Sequence, residues 1–182
     1  DAEVSIGVLP FVDFGEDSSN QHIGNGIAEA VLNALVATDG LRVASRTSSF
    51  SAKNSSLDVS EIGVRLNVTK ILEGSIRLQN KKLRVSAQLT DVKSGYQRWS
   101  KTYERQFDDI FSIEEDIARS LVSALRGPLA LGEDSIVQPG TDNVDAYELN
   151  LRAKYYFDSP SQENFVRATE LFLKATTLDP NY

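Results

Sequence analysis

Arg46-Thr47-Ser48-Ser49-Phe50 places one guanidinium and three hydroxyls on five consecutive residues. An arginine can grip a carboxylate or phosphate with two parallel N–H groups, and neighbouring hydroxyls supply further donors. The run follows Leu41-Arg42-Val43-Ala44, a short β-branched stretch, and open α/β sheets gather ligand sites beyond their strand ends. Arg46, Thr47, Ser48 and Ser49 are therefore the candidate ligand-binding residues. The same residues also have a structural use, with the hydroxyls capping loop backbone and Arg46 paired to an acidic neighbour.

Other chemistry-bearing groups are more scattered. Gly24-Asn25-Gly26 could present backbone N–H groups to an anion. It lies well past the first strand and lacks the third glycine of a dinucleotide fingerprint, so it reads as a helix-entry turn. Glu73 could serve as an acid or base; beside Gly74, inside a strand pattern, it reads as a solvent-facing residue next to a close-packing glycine. His22 is the only histidine and falls in a polar stretch, and no nucleophile-elbow sequence accompanies it. Glu114-Glu115-Asp116 opens a helical pattern, where negative charge favours the helix dipole without any metal.

Composition narrows the classes. The chain has 182 residues, a net charge of −7 and no cysteine, which excludes disulfides, thiolate metal sites and cysteine nucleophiles. With 26 acidic against 19 basic residues it lacks the clustered cations of a nucleic-acid binder. The densest basic group, Arg77, Lys81, Lys82 and Arg84, straddles Gln79-Asn80 and reads as a solvated hairpin tip with no aromatic nearby in sequence. No run approaches the roughly 20 apolar residues of a membrane-spanning helix. A chain opening on Asp1 and closing on Asn181-Tyr182 reads as a segment of something longer.

The elements that must position these groups follow from periodicity. Val4 to Phe11 reads as a buried strand stopped at Pro10, followed by a polar loop from Asp13 to Gln21. Ile27, Val31, Ala34 and Leu35 form a helical stripe ended by Gly40, and Leu41 to Ala44 is a second strand. Asp58 with Glu61 predicts a capping box on the next helix. From Lys70 the period falls to two, giving a hairpin and then a third strand, Gln97 to Arg105, with Trp99 and Tyr103 on one face as core anchors or as a partner patch. Asp109 caps a helix with the stripe Ile113, Ile117, Leu121 and Ala124, stopped by Gly127-Pro128. The expected fold class is α/β, a mixed sheet in β-α-β-α-β-β-β-α order covered by helices. Residues 127–143 read as a linker. Two further helices follow, Val144 to Phe157 and one capped by Ser159 with Pro160 in its first turn.

The closing helices carry Ala168, Phe172, Ala175 and Pro180 at the spacing of a tetratricopeptide second helix, and Ala153 and Tyr156 resemble residues of its first. The first domain resembles the TolB-like amino-terminal domain. The resemblance rests on residues 6–11 (IGVLPF), 41–50 (LRVASRTSSF), 71–77 (ILEGSIR) and 85–89 (VSAQL), with Trp99, Tyr103 and Asp109-Ile110-Phe111. It implies a TolB-like domain over 1–126, a linker over 127–143 and the first repeat of a tetratricopeptide array over 144–182. It also implies a non-enzymatic sensing or protein-interaction module of a bacterial signalling or transcription regulator, periplasmic or alternatively cytoplasmic. Such a module uses no cofactor and binds a peptide or protein through the repeat surface. Neither nucleic acid binding nor membrane insertion is expected of this segment, and a homodimer is compatible with it. The rival readings are a dimerisation scaffold for an attached effector such as a nucleotide cyclase, and a hydrolase built on His22.

Overall fold

Strand-forming and helix-forming stretches alternate over most of the chain, and the computed structural model describes residues 4–16, 18–53, 56–126 and 136–182. β1 (Val4–Val8) is nearly fully buried. After Pro10 the chain resumes as β2 (Val12–Asp13), a short strand that takes in Asp13, the expected start of the polar loop. β1 and β2 both run parallel to β4 (Lys70–Gln79), at Ile6 to Val8 and at Val12 to Asp13 respectively. Pro10 has no N–H to donate, so the ladder breaks there and re-forms beyond it. β3 (Leu41–Val43) flanks β1 in parallel. β5 (Lys82–Asp91) and β6 (Gln97–Gln106) extend the sheet antiparallel, in the order β3-β1-β4-β5-β6 with β2 beside β4.

The β4–β5 turn shows why the register is firm. Asn80 and Lys81 both take positive φ, 51° and 62°, as a two-residue turn with matching twist requires. The hairpin face with Ile76, Leu83, Val85, Ala87 and Leu89 is buried, and the opposite face is polar. Trp99 stands opposite Leu89 and Tyr103 opposite Val85; Tyr103 is buried and Trp99 packs against the core, so both serve as anchors.

α1 (Gln21–Val36) and α4 (Ile110–Arg126) cover that apolar face. α1 begins earlier than its stripe suggests, so Gly24-Asn25-Gly26 and His22 lie inside the helix rather than before it. Gly40, at φ 74°, turns the chain into β3 and does not cap α1, which ends on a right-handed Ala37. A 3-10 turn over Phe107–Asp109 leads into α4, whose buried face is Ile110, Ile113, Glu114, Ile117, Ala118, Leu121 and Val122; Ala124 is exposed.

On the other face, α2 (Arg46–Lys53) and α3 (Val59–Leu66) enclose a smaller core of Leu9, Ala52, Ile62, Val68 and Ile71. α2 replaces the expected loop. It has no apolar stripe, and only Ser49 and Ala52 are buried, so packing against the sheet decides its conformation over propensity. Ser45 Oγ accepts from Ser48 N at 3.2 Å at its start. The Asp58–Glu61 capping box is formed on α3. The observed sequence of elements therefore has β2 and α2 in addition to the expected order.

α5 (Val144–Phe157) starts at Asn143, whose side chain accepts from Ala146 N at 3.0 Å. α6 (Gln162–Leu178) is capped by Ser161, two residues later than expected. Ser161 Oγ accepts from Asn164 N at 3.1 Å, and the Asn164 amide donates to Ser159 O, leaving Ser159 and Pro160 outside the helix. α6 packs along α5 with Ala153, Ala168 and Ala175 buried. The first part of the expected linker, 127–135, lies outside the described residues. Within 136–143, Val137 is buried beside Ala34 and Ala118, and the Ile136 and Val137 N–H groups donate to Glu115.

Candidate functional site

Small residues let the closing helices approach the sheet domain. Gly26 on α1 faces Leu151 on α5; a Cβ there would lie 2.6 Å from the leucine's δ carbons. Around this contact the chain places its most perturbed ionisable groups. Glu114 of α4 has no solvent exposure, and its Oε1 accepts from the Tyr147 hydroxyl of α5 at 2.8 Å. Its Oε2 finds no hydrogen-bond partner among the described residues. Burial pushes the Glu114 carboxyl up to about 8, with the Tyr147 bond working in the opposite direction. Burial, then the Glu114 carboxylate, raises Tyr147 well above the ordinary phenol range. Phe111 packs edge-on against Tyr147, ring centroids 5.0 Å apart.

A second set of contacts runs along the same seam. Glu29 of α1 accepts from Arg46 at 2.9 Å and from Lys154 at 3.1 Å, and Arg46 also reaches Asp158 at 2.7 Å. The guanidinium stacks over Phe50, 4.5 Å from the ring centroid. Burial opposes the charge on Arg46, but its bonds to Asp158 and Glu29 outweigh burial and hold its pKa above the usual value. At the opposite end, His22 Nε2 lies 3.4 Å from Arg152 Nε and 3.8 Å from Glu148. Its contact with His22 keeps Glu148 below the usual carboxylate range.

A cleft of about 730 Å³ opens beside the Arg46 cluster, between α2 and the α5–α6 corner, with Phe50, Lys53 and Tyr155 on its walls. Arg46 and Thr47 line it. Ser48 does not; it is exposed and its hydroxyl is bonded to Ser45. Ser49 is buried, its Oγ without a partner among the described residues. The four candidate residues thus diverge, being successive positions of one helix rather than of a loop. Two carboxylates occupy the guanidinium that an anion would need.

The acidic run also separates. Glu114 is buried on Tyr147, Glu115 receives the Ile136 and Val137 N–H groups and Arg119, and Asp116 pairs with Arg105 at 2.5 Å. Helix-dipole compensation therefore does not account for it. The helical period places Glu114 four residues after Ile110 and three before Ile117, within the apolar stripe, and this was the signal available in the sequence. His22, expected in a loop, is buried at the seam between charged side chains. Among the described residues no three His, Asp or Glu side chains gather as a metal site. No helix there is long and apolar enough to cross a membrane.

A mixed sheet with helices on both faces and a helical pair packed on α1 defines the class as α/β. No protein-family profile matches it. The crystal structure of TolB from Acinetobacter baumannii is similar over 70% of this chain and 29% of that one, with a TM-score of 0.51 and 16% identity, a likeness that establishes a TolB-like fold. The carboxy-terminal domain of LpoB from Salmonella enterica aligns over 58% of this chain and 84% of that one, with a TM-score of 0.46 and 20% identity. In sequence, the chain is 31% identical over 180 residues to "Putative adenylate cyclase 3" of Rhizobium meliloti (strain 1021). The match takes in 98% of this chain but only 31% of that relative, so the chain spans about a third of its length.

Proposed function

We propose that the chain is a non-enzymatic sensing or protein-interaction module of a bacterial signalling protein, attached in its natural context to an effector such as a nucleotide cyclase. The observation that carries this reading is the match of nearly the whole chain to a minor part of a protein named as an adenylate cyclase. The arrangement of side chains supports it. The perturbed groups at the seam face one another and hold two parts of the chain together, and His22 meets Arg152 and Glu148 rather than a hydroxyl nucleophile. In this reading 1–126 is a TolB-like domain, 127–143 a linker and 144–182 the first tetratricopeptide repeat, whose surface takes a peptide or protein partner. Phe157, Phe165, Val166 and Leu173 leave apolar area on the helical pair, which also favours a homodimer as the second reading.

The test is an activity and exchange experiment. The purified chain is expected to form no cyclic nucleotide from ATP and to hydrolyse no ester substrate. Grafted in place of the matching third of the Rhizobium relative, it is expected to leave catalysis present and alter its regulation. Turnover by the isolated chain that His22→Ala removes would refute the reading. Sedimentation across concentration separates the dimerisation scaffold, which must self-associate, from a monomeric adaptor. We assign the module to the periplasmic side of a membrane-anchored protein; an active alkaline phosphatase fusion is the expected result, and an inactive one moves it to the cytoplasm.

A further inference from the structure

The polar face of the β4–β5–β6 sheet carries a concentration of unfavourable local choices. Arg77 and Arg84 are direct cross-strand partners, and like charges in that position repel. Lys81 occupies the second position of the hairpin turn at φ 62°, a conformation that favours glycine. Phe14, just past β2, is 62% exposed. Its N–H bonds Ile76 O, which sets it level with Arg77. Phe14, Arg77 and Arg84 then border one shallow groove of about 190 Å³ with Ser75 and Ser86 on its floor. The sequence shows no aromatic near this basic group; the fold brings Phe14 to it from more than sixty residues away. Glu104 is engaged by Lys82 and lies 4.0 Å from Arg84, whereas Arg77 has no acidic partner among the described residues. Glu104 offsets part of the charge of Arg84, but Arg77 is left uncompensated beside an exposed aromatic, and local rules broken together in this way mark a surface shaped for something outside the molecule.

We infer that this sheet face docks an acidic protein segment, with Arg77 and Arg84 forking a carboxylate, the two serine hydroxyls completing its hydrogen bonds and Phe14 covering an apolar neighbour of that carboxylate. Charge complementarity selects the occupant. The patch is cationic on a chain of net charge −7. A nucleic acid or an anionic membrane extends beyond four cations and meets the repulsion of the acidic remainder, whereas a short acidic segment ends where the patch ends. The surface is separate from the α5–α6 pair, and the inference does not depend on the reading of that pair.

The test uses the whole chain and a fluorescein-labelled dodecapeptide of glutamates interrupted by two leucines, followed by anisotropy at low and high salt. Saturable binding that weakens with salt is expected. Arg77→Ser, Arg84→Ser and Phe14→Ser should each weaken it by roughly fivefold, the scale of one exposed charged or apolar contact. Lys174→Ser, which removes the same charge from the exposed side of α6, should leave it unchanged. All four positions are exposed, so circular dichroism should report an intact fold for each variant. Absence of saturable binding, or equal weakening by Lys174→Ser, overturns the inference. Tighter binding of oligothymidylate or of phosphatidylserine–phosphatidylcholine vesicles through the same arginines overturns the choice of an acidic protein segment.

Discussion

Glu114→Gln should make the protein more stable at neutral and alkaline pH while leaving it nearly unchanged in acid. In the folded chain the carboxyl holds its proton up to about pH 8. In the unfolded chain it ionises near its ordinary value of 4.5. The folded state therefore binds the extra proton, so the stability linked to it is complete below about pH 4.5 and is lost as pH rises through about 8. Each tenfold in proton affinity is about 1.4 kcal/mol, so at pH 7 the wild-type chain is destabilised by about 3 kcal/mol relative to acid, rising to about 5 kcal/mol above pH 8. Glutamine keeps the Tyr147 bond through its carbonyl oxygen and has no proton to lose. For a chain of this size the gain at pH 7 corresponds to a melting temperature higher by about 6–12 °C. Tyr147 and Tyr182 are both raised by burial and stay neutral across this window, and Asp91, held down by Lys70, titrates below it. Calorimetric melts of both proteins from about pH 5 to 9 decide the matter, because the difference between the two curves cancels every group other than Glu114. Parallel curves would show that the carboxyl is not held protonated at the seam.

Four further outcomes are expected. Gly74→Ala places a Cβ 2.5 Å from Ser86 O and 2.7 Å from the Phe11 ring; neither neighbour can withdraw, and a loss of about 3 kcal/mol in urea unfolding is expected. Gly26→Ala drives its methyl into Leu151 and should destabilise by about 1–3 kcal/mol; Leu151→Val, which removes the δ carbons, should restore part of it in the double variant, and simple additivity would count against the contact. Asp58→Ala removes the capping-box acceptor of Glu61 N, at about 1 kcal/mol by chemical denaturation. Lys81→Gly relieves the positive φ of the hairpin turn and should raise stability by about 0.5–1 kcal/mol; no gain would mean that Lys81 is not strained.

The elements that could be read from the sequence are those in which one local signal decides. The capping box at Asp58 and Glu61, the alternation from Lys70 to Thr90 and the helical stripe after Ile110 each impose their structure within one segment, and each is present. α2 and β2 had no such signal. Residues 46–53 have neither an apolar stripe nor an acidic first turn, and they become helical because Ser49 and Ala52 pack against the underlying strands. Val12 and Asp13 form only two pairings, with Ser75 and Ile76, and nothing in their own neighbourhood specifies either one. The late recognition of where α1 begins has a related origin. Gly24 and Gly26 look like loop residues until the Phe11 carbonyl and the Leu151 side chain, which require the absence of a Cβ, are in place.

The junction was hardest to read because each of its bonds joins residues that local patterns treat separately. Glu114 and Tyr147 are 33 positions apart, Arg46 and Asp158 are 112, and Lys154 and Glu29 are 125. Charge pattern alone assigns Glu114 to the same solvated run as Glu115 and Asp116, although successive helical residues point about 100° apart and must meet different neighbours. Only Glu114 falls on the stripe, so only Glu114 is taken out of water. Among the described residues the fold then leaves it a single donor, Tyr147, from a segment that periodicity reads as an independent helix. A carboxylate with one bond and no cation cannot remain charged in that surrounding, so the proton stays on it. The same reasoning separates it from Glu29, which is partly exposed between Arg46 and Lys154 and has two cations to balance its charge. Of two acidic residues of one interface, one is thus buried on a single hydroxyl and the other lies between two cations, and the cause is which side chains the docking of α5 brings to each.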